Sequence, residues 1–246
     1  MKRRKCYIVI LSILLLIVIF GVWLAAPIDN RPNLSDNRYY IAHAGGAIDG
    51  RQYTNSREAV MKAIDDGYMY IELDLHQESD STILCMHAPE DTIGMNLTPL
   101  TLNEALDIRK KHPFVLVTDK IDAPDILDRY FADNKKNLMV ETFSWEQFIV
   151  LYDRGYTPIL AINKWSVLDF VRVKRKVKRN INWVESSAYS KWDILKLRIL
   201  KKLFGVKIAF VPFAKLEESY YEYIGNEFDL IYVNDKSTIQ KYQYCK

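Results

Sequence analysis

Glu72, Asp74 and His76 occupy alternate positions of the run Tyr70-Ile71-Glu72-Leu73-Asp74-Leu75-His76. Strand side chains alternate with period two, so these three project to one face while Ile71, Leu73 and Leu75 project to the other. Neighbouring carboxylates repel, and burying them uncompensated costs several kcal/mol, so a divalent cation or a cationic side chain is expected between them. An edge strand with one wet face is the structural alternative. His43 and His87, two of the four histidines in the chain, end nearby strand-like segments, and Asp119 ends another beside Lys120. Carboxylates suited to a hard cation such as Mg2+ or Ca2+, with imidazoles on their flanks, are the parts of metal-assisted acid–base chemistry.

The elements that must carry these groups alternate. Candidate strands are 39–43, 69–76, 82–87, 114–119, 138–143, 157–162, 183–187, 206–213 and 229–234, with amphipathic helical stretches such as 55–66, 101–111, 144–154 and 191–203 between them. Ser144 with Gln147 three residues later has the form of a capping box. Strand–helix alternation points to a parallel sheet covered on both faces. The gap between the second and third strands is too short for a crossover helix, so 82–87 reads as a hairpin return. Eight strands remain, and the expected fold is an α/β (β/α)8 TIM barrel with its reactive groups at the carboxyl ends of the strands. A doubly wound open sheet is the alternative, although no glycine-rich phosphate loop opens a helix.

A single N-terminal transmembrane helix is expected before the barrel. Tyr7 to Ala26 carries no charge and is rich in Ile, Leu and Val, a length that matches a hydrocarbon core. A cleaved signal peptide is the rival, but its apolar core is usually shorter, and Pro27 sits awkwardly for cleavage. Lys2, Arg3, Arg4 and Lys5 should stay cytoplasmic, which places the rest beyond the membrane. The expected organisation is a basic cytoplasmic tail (1–6), an anchor (7–26), a linker (27–37) and a barrel (38–246). Of 34 basic residues, those four leave 30 against 31 acidic ones, so the net charge of +3 gives no case for nucleic-acid binding. The 246 residues, 49% hydrophobic, suffice for one large core. Three cysteines show no metal spacing, and Cys85 reads as a small core residue; a bridge to Cys245 has no support.

From about Tyr39 to Asp235 the chain resembles the glycerophosphodiester phosphodiesterases, within the wider group of phospholipase C-like barrels. His43-Ala44-Gly45-Gly46 is similar to that family's opening His-Arg-Gly, Asn55-Ser56 falls at its Pro-Glu-Asn-Thr, Glu72-Leu73-Asp74 matches its Glu-x-Asp, and His87 matches the histidine closing its hairpin. Phe228 to Asp235 is similar to the family's last barrel strand. The resemblance implies phosphodiester hydrolysis, with His43 and His87 as the acid–base pair and Glu72 and Asp74 holding a divalent metal, Mg2+ or Ca2+. Three departures stand out: Ala44 replaces the Arg, Thr54 replaces the Glu, and Val117-Thr118-Asp119-Lys120 stands where the family has Glu-x-Lys. Either Thr118 takes the Glu place or Asp119 does; Asp119 is preferred as the third ligand, since two carboxylates hold a divalent ion poorly. The sphingomyelinase D-type enzymes also have an Asp there and no Arg after the first His. Headgroup cleavage of intact lipid, or a degenerate barrel that binds a phosphorylated ligand, are accordingly the other readings.

Lys120 or Lys164 is the expected substitute for the missing guanidinium at the substrate. The partner is thus a phosphodiester small molecule or the headgroup of a lipid or polymer, with the membrane held through 7–26. His76 either lines the same pocket or packs structurally, and His112 before Pro113 reads as a helix cap. Asn96-Leu97-Thr98 fits a glycosylation acceptor only in a eukaryotic source. Cys6 is a conceivable acylation site. Arg172, Lys174, Arg175, Lys176, Lys178 and Arg179, echoed by Lys196, Arg198, Lys201 and Lys202, form either a solvated face or one laid against anionic headgroups.

Overall fold

The structure, a computed structural model, describes residues 2–26, 28, 37–88, 97–132, 134–187, 190–211 and 228–234; within the N-terminal helix, side chains are described at position 7 and from 9 onward. Pro27, Asn96, Asp235 and Cys245, most of the expected linker, and the side chain of Cys6 lie outside the described residues.

Eight parallel strands close into a barrel: β1 (Tyr40–Ala42), β2 (Tyr70–Gln77), β5 (Val115–Asp119), β6 (Leu138–Thr142), β7 (Thr157–Ala161), β8 (Trp183–Ser186), β9 (Lys207–Phe210) and β10 (Leu230–Val233). Closure is made by β1, which pairs with β10 on one side and β2 on the other. The expected hairpin return is β3 (Ile83–Cys85), antiparallel to the far end of β2 through Leu75↔Cys85 and His76↔Leu84. Sequence reading missed β4 (Leu100–Thr101), a two-residue strand on the outer edge of β3, because so short a run carries no periodicity.

Helices α2 (Arg57–Asp65), α3 (Leu102–Lys111), α4 (Pro124–Phe131), α5 (Trp145–Asp153), α6 (Val167–Val177) and α7 (Lys191–Phe204) pack outside. Their starts follow local chemistry. Thr101 with Glu104 and Ser166 with Asp169 form reciprocal capping boxes on α3 and α6. The box expected at Ser144 is only half made: its hydroxyl accepts from Gln147 N, but the Gln147 amide turns away to donate to Asp122 O. His112 caps α3 as expected, its N–H reaching Ile108 O. Cys85 is buried in the outer core, as its apolar context required.

The period-two rule sorts the interior into layers. Ile41, Val117, Met139, Ile159, Ala209, Leu230 and Tyr232 form a largely apolar plug on the barrel axis. Each fully buried aliphatic side chain there contributes about 1.5–3 kcal/mol. The opposite strand faces, with residues such as Ile71, Leu73, Leu116 and Val140, pack against the helices.

Helix α1 (Lys2–Ala25) runs unbroken, and its described apolar side chains between Tyr7 and Trp23 are exposed. Among the described residues no helix is long and apolar enough to cross a membrane. The end of α1 rests on α7, where Arg198 donates to Ala25 O (2.8 Å) and Lys202 to Ala26 O (2.6 Å). Cations there satisfy the orphan carbonyls of a helix C-terminus. Other members of the basic run pair with carboxylates instead: Arg172 with Asp169, Arg179 with Asp153, and Lys201 with Asp229.

Candidate active site

His43 follows β1 as the first residue of a 3-10 turn rather than ending the strand. Ala44 (φ 50), Gly45 (φ 79) and Gly46 (φ 93) lie in left-handed backbone, which turns the Ala44 N–H inward to the Glu72 carboxylate at 2.6 Å. Glycine at 45 also allows close approach of α2, since a Cβ there would lie 3.4 Å from Ala59 Cβ and Val60 Cγ2.

Glu72 and Asp74 lie within β2, which runs on to Gln77, rather than at its end. Both point into the barrel and are buried, at 2% and 3% exposure. Glu72 Oε2 lies 3.9 Å from His43 Nε2, and Glu72 Oε1 has no partner. Asp74 is held by Asn55, whose amide donates to Oδ2 (3.0 Å) while its carbonyl oxygen accepts from Asp74 N (2.9 Å). Asn55 can do this because its own backbone is left-handed, φ 47.

Asp119 stands opposite Asp74 in the β2–β5 register and faces the interior, whereas Thr118 turns outward toward Met139 O. Of those two neighbours, Asp119 is thus the one that shares the interior with Asp74. Lys120, half-exposed with φ 70, brings its ammonium to 3.8 Å from Asp74 Oδ1. Lys164 is exposed in the turn after β7, and among the described contacts it touches none of these groups. His76 lies beyond the barrel wall on the β2–β3 extension, paired with Leu84.

His87 stands two residues beyond β3, exposed, rather than ending it. Tyr53 links it to His43: the two imidazoles meet the Tyr53 ring edge-on, His43 at 4.9 Å and His87 at 5.7 Å between centroids. Tyr232 meets His43 from below at 5.5 Å. Sequence reading missed Tyr53, which needs a left-handed backbone (φ 59) to reach this place. It also missed Glu141, Glu185 and Tyr232, all buried. Their signal was present: each is a polar residue at an inward position of a recognised strand.

The electrostatics follow from burial. Desolvation pulls the His43 imidazole down to about 4, against the attraction of Asp74, so it is neutral and a proton acceptor at neutral pH. Desolvation and then Asp74 push the Glu72 carboxyl well above its ordinary value, and burial raises Asp119 as well. Among the described residues no three acidic, cysteine or histidine side chains already surround one point. The donors nevertheless suit a hard divalent ion: oxygen ligands on adjacent strands, one of them an orphaned buried carboxylate oxygen, with Glu72 and Asp119 both raised in pKa chiefly by burial. A surface cavity of about 740 Å³ between α3 and α4 includes none of these groups, and its Arg109 is already bonded to the carbonyls of Phe114 and Asn137.

No family model matches the chain. One curated protein, an aspartate aminotransferase from Sulfurisphaera tokodaii, is 20% identical over 119 residues, 48% of this chain and 28% of that protein; the chain thus spans about a quarter of that relative. Solved structures agree far more broadly. A glycerophosphodiester phosphodiesterase from Thermotoga maritima superposes with a TM-score of 0.61 at 17% identity, over 84% of this chain and 96% of the other. A glycerophosphoryl diester phosphodiesterase from Parabacteroides distasonis gives 0.58 at 17% identity, over 84% and 87%. An Oleispira antarctica phosphodiesterase, solved with its product sn-glycerol-3-phosphate, gives 0.57 at 13%, over 83% and 96%. At these identities the likeness establishes the barrel fold.

Proposed function

We propose that this chain is a phosphoric diester hydrolase acting on a glycerophosphodiester or a close relative, with His43 and His87 as its acid–base pair. The observation that carries the reading is the meeting of both imidazoles on Tyr53 beside the buried Glu72–Asp74 pair. A divalent cation, Mg2+ or Ca2+, held by Glu72, Asp74 and Asp119, would neutralise the phosphate oxygens whose charge repels nucleophiles. His43, kept neutral by burial, takes the proton of the attacking hydroxyl; His87, open to solvent, returns one to the leaving alkoxide. Lys120 lies at the same rim and would meet the diester in place of the guanidinium absent at Ala44. The printed activities of the structural neighbours, and the glycerol phosphate in the Oleispira enzyme, support this substrate class.

The domain is read as tethered through residues 7–26, N-terminus cytoplasmic and barrel beyond the membrane. The uncharged run and its exposed, unbroken helix support that placement. Replacing His43 or His87 by Ala is expected to lower turnover of glycerophosphodiesters by at least ~100-fold, the scale of acid–base contributions. Near-normal turnover in either variant would remove the mechanism.

A further inference from the structure

The acids of the site do not stop at Asp119. In the β5–β6 register, one step beyond Val117↔Met139 and Thr118↔Val140, Asp119 comes opposite Glu141. Glu141 is bonded to the Tyr232 hydroxyl and to Glu185 of β8. All three are at least nine-tenths buried, in a layer where the same strands could have carried aliphatic residues. Burying carboxyls this way is costly unless they are paired with a cation. Yet the charges felt most strongly by Glu72, Glu141 and Glu185 are those of other acids. A separate observation points to a missing partner: Glu185 Oε2 is buried without a hydrogen bond, as Glu72 Oε1 is at the first site.

We propose that Asp119, Glu141 and Glu185 hold a second divalent cation, deeper in the barrel than the one assigned to Glu72 and Asp74, with Asp119 shared between the two. The inference rests on the cation-dependent reading above and extends it to a two-ion centre. As the side chains stand, Glu141 and Glu185 are hydrogen-bonded to each other, and no three acids surround one point among the described residues. A cation would enter between them once the carboxylates rotate, meeting the orphaned Glu185 Oε2 while Tyr232 still anchors Glu141. Ions in two-metal centres lie about 3.5–4 Å apart and clamp the attacking and leaving oxygens of a phosphodiester together.

The test is the number of Mn2+ ions bound by the full chain in detergent, counted by elemental analysis, with electron paramagnetic resonance to detect coupling between them. Two Mn2+ per chain with a spin-coupled spectrum are expected, and the Glu141→Gln/Glu185→Gln double variant should halve the count and lose the coupling. One Mn2+ per wild-type chain would overturn the second site and leave the first. None would overturn both. A double variant that still binds two would place the second ion elsewhere and equally overturn the assignment. Should that variant fail to fold, the count and the spectrum of the wild-type chain decide the matter alone.

Discussion

Two layers of the same barrel, a single strand repeat apart, are built to opposite specifications. Two residues further along from the plug, Ile41 gives way to His43, Tyr70 to Glu72, Val117 to Asp119 and Met139 to Glu141, whereas Ile159 and Ala209 are followed by Ala161 and Val211. The lower layer is a close-packed, largely apolar plug. The upper one carries carboxyls whose ordinary pKa values are lifted by burial, two of them with oxygens that nothing in the described structure satisfies. The strand's alternation places both sets indoors, and only side-chain chemistry separates the layer that stabilises the molecule from the one that sacrifices stability to function.

The harshest way to break that contrast is to move an acid down one layer. Met139→Glu should cost about 3–5 kcal/mol in chemical denaturation, the penalty of an uncompensated buried charge. A well-folded variant would mean that the two layers are equally tolerant. Within the upper layer, Asn55→Ala removes both bonds that fix Asp74. Divalent-ion affinity, followed by calorimetry, should fall 10–100-fold, as for other groups that orient metal ligands. Outside the barrel, Ser166→Ala deletes the α6 capping box and should cost about 1 kcal/mol of stability while leaving turnover unchanged.

The smallest effect belongs to Asp128. Lys135 first, then Tyr156 and Arg154, hold its carboxyl down at about 2. A depressed folded-state pKa stabilises fully above the ordinary aspartate value of about 3.9, and that contribution is lost as pH falls through about 2. Thermal melts of Asp128→Asn should therefore lose part of the steep acid limb between about pH 4 and pH 2, by a modest amount because the pair is partly exposed to screening solvent. An unchanged limb would show that the cluster contributes nothing to acid stability.

Strand order, the hairpin return and the inward aim of Glu72 and Asp74 were legible because alternation and loop length are local properties of the chain. Element ends were less so: His43, Asp74 and His87 were each placed at strand ends, whereas β1 and β3 stop short and β2 runs past the acids. Tyr53 was hidden because its role depends on a left-handed residue in a loop, which no periodicity announces. Glu141, Glu185 and Tyr232 obey the same parity as Glu72, but each acid stands alone on its strand, without the neighbouring carboxylate that marks β2. Lys164 shows the converse, a lysine at the right end of the right strand that reaches none of the site's described groups.

The proposed chemistry depends on a cation seated between the acids of β2. Anomalous diffraction from crystals soaked in Mn2+ tests this directly: a peak is expected at ligand distance, roughly 2.0–2.6 Å, from oxygens of Glu72 and Asp74, with the imidazoles of His43 and His87 turned toward it. A barrel without that peak, or with both carboxylates turned away from it, would contradict the account.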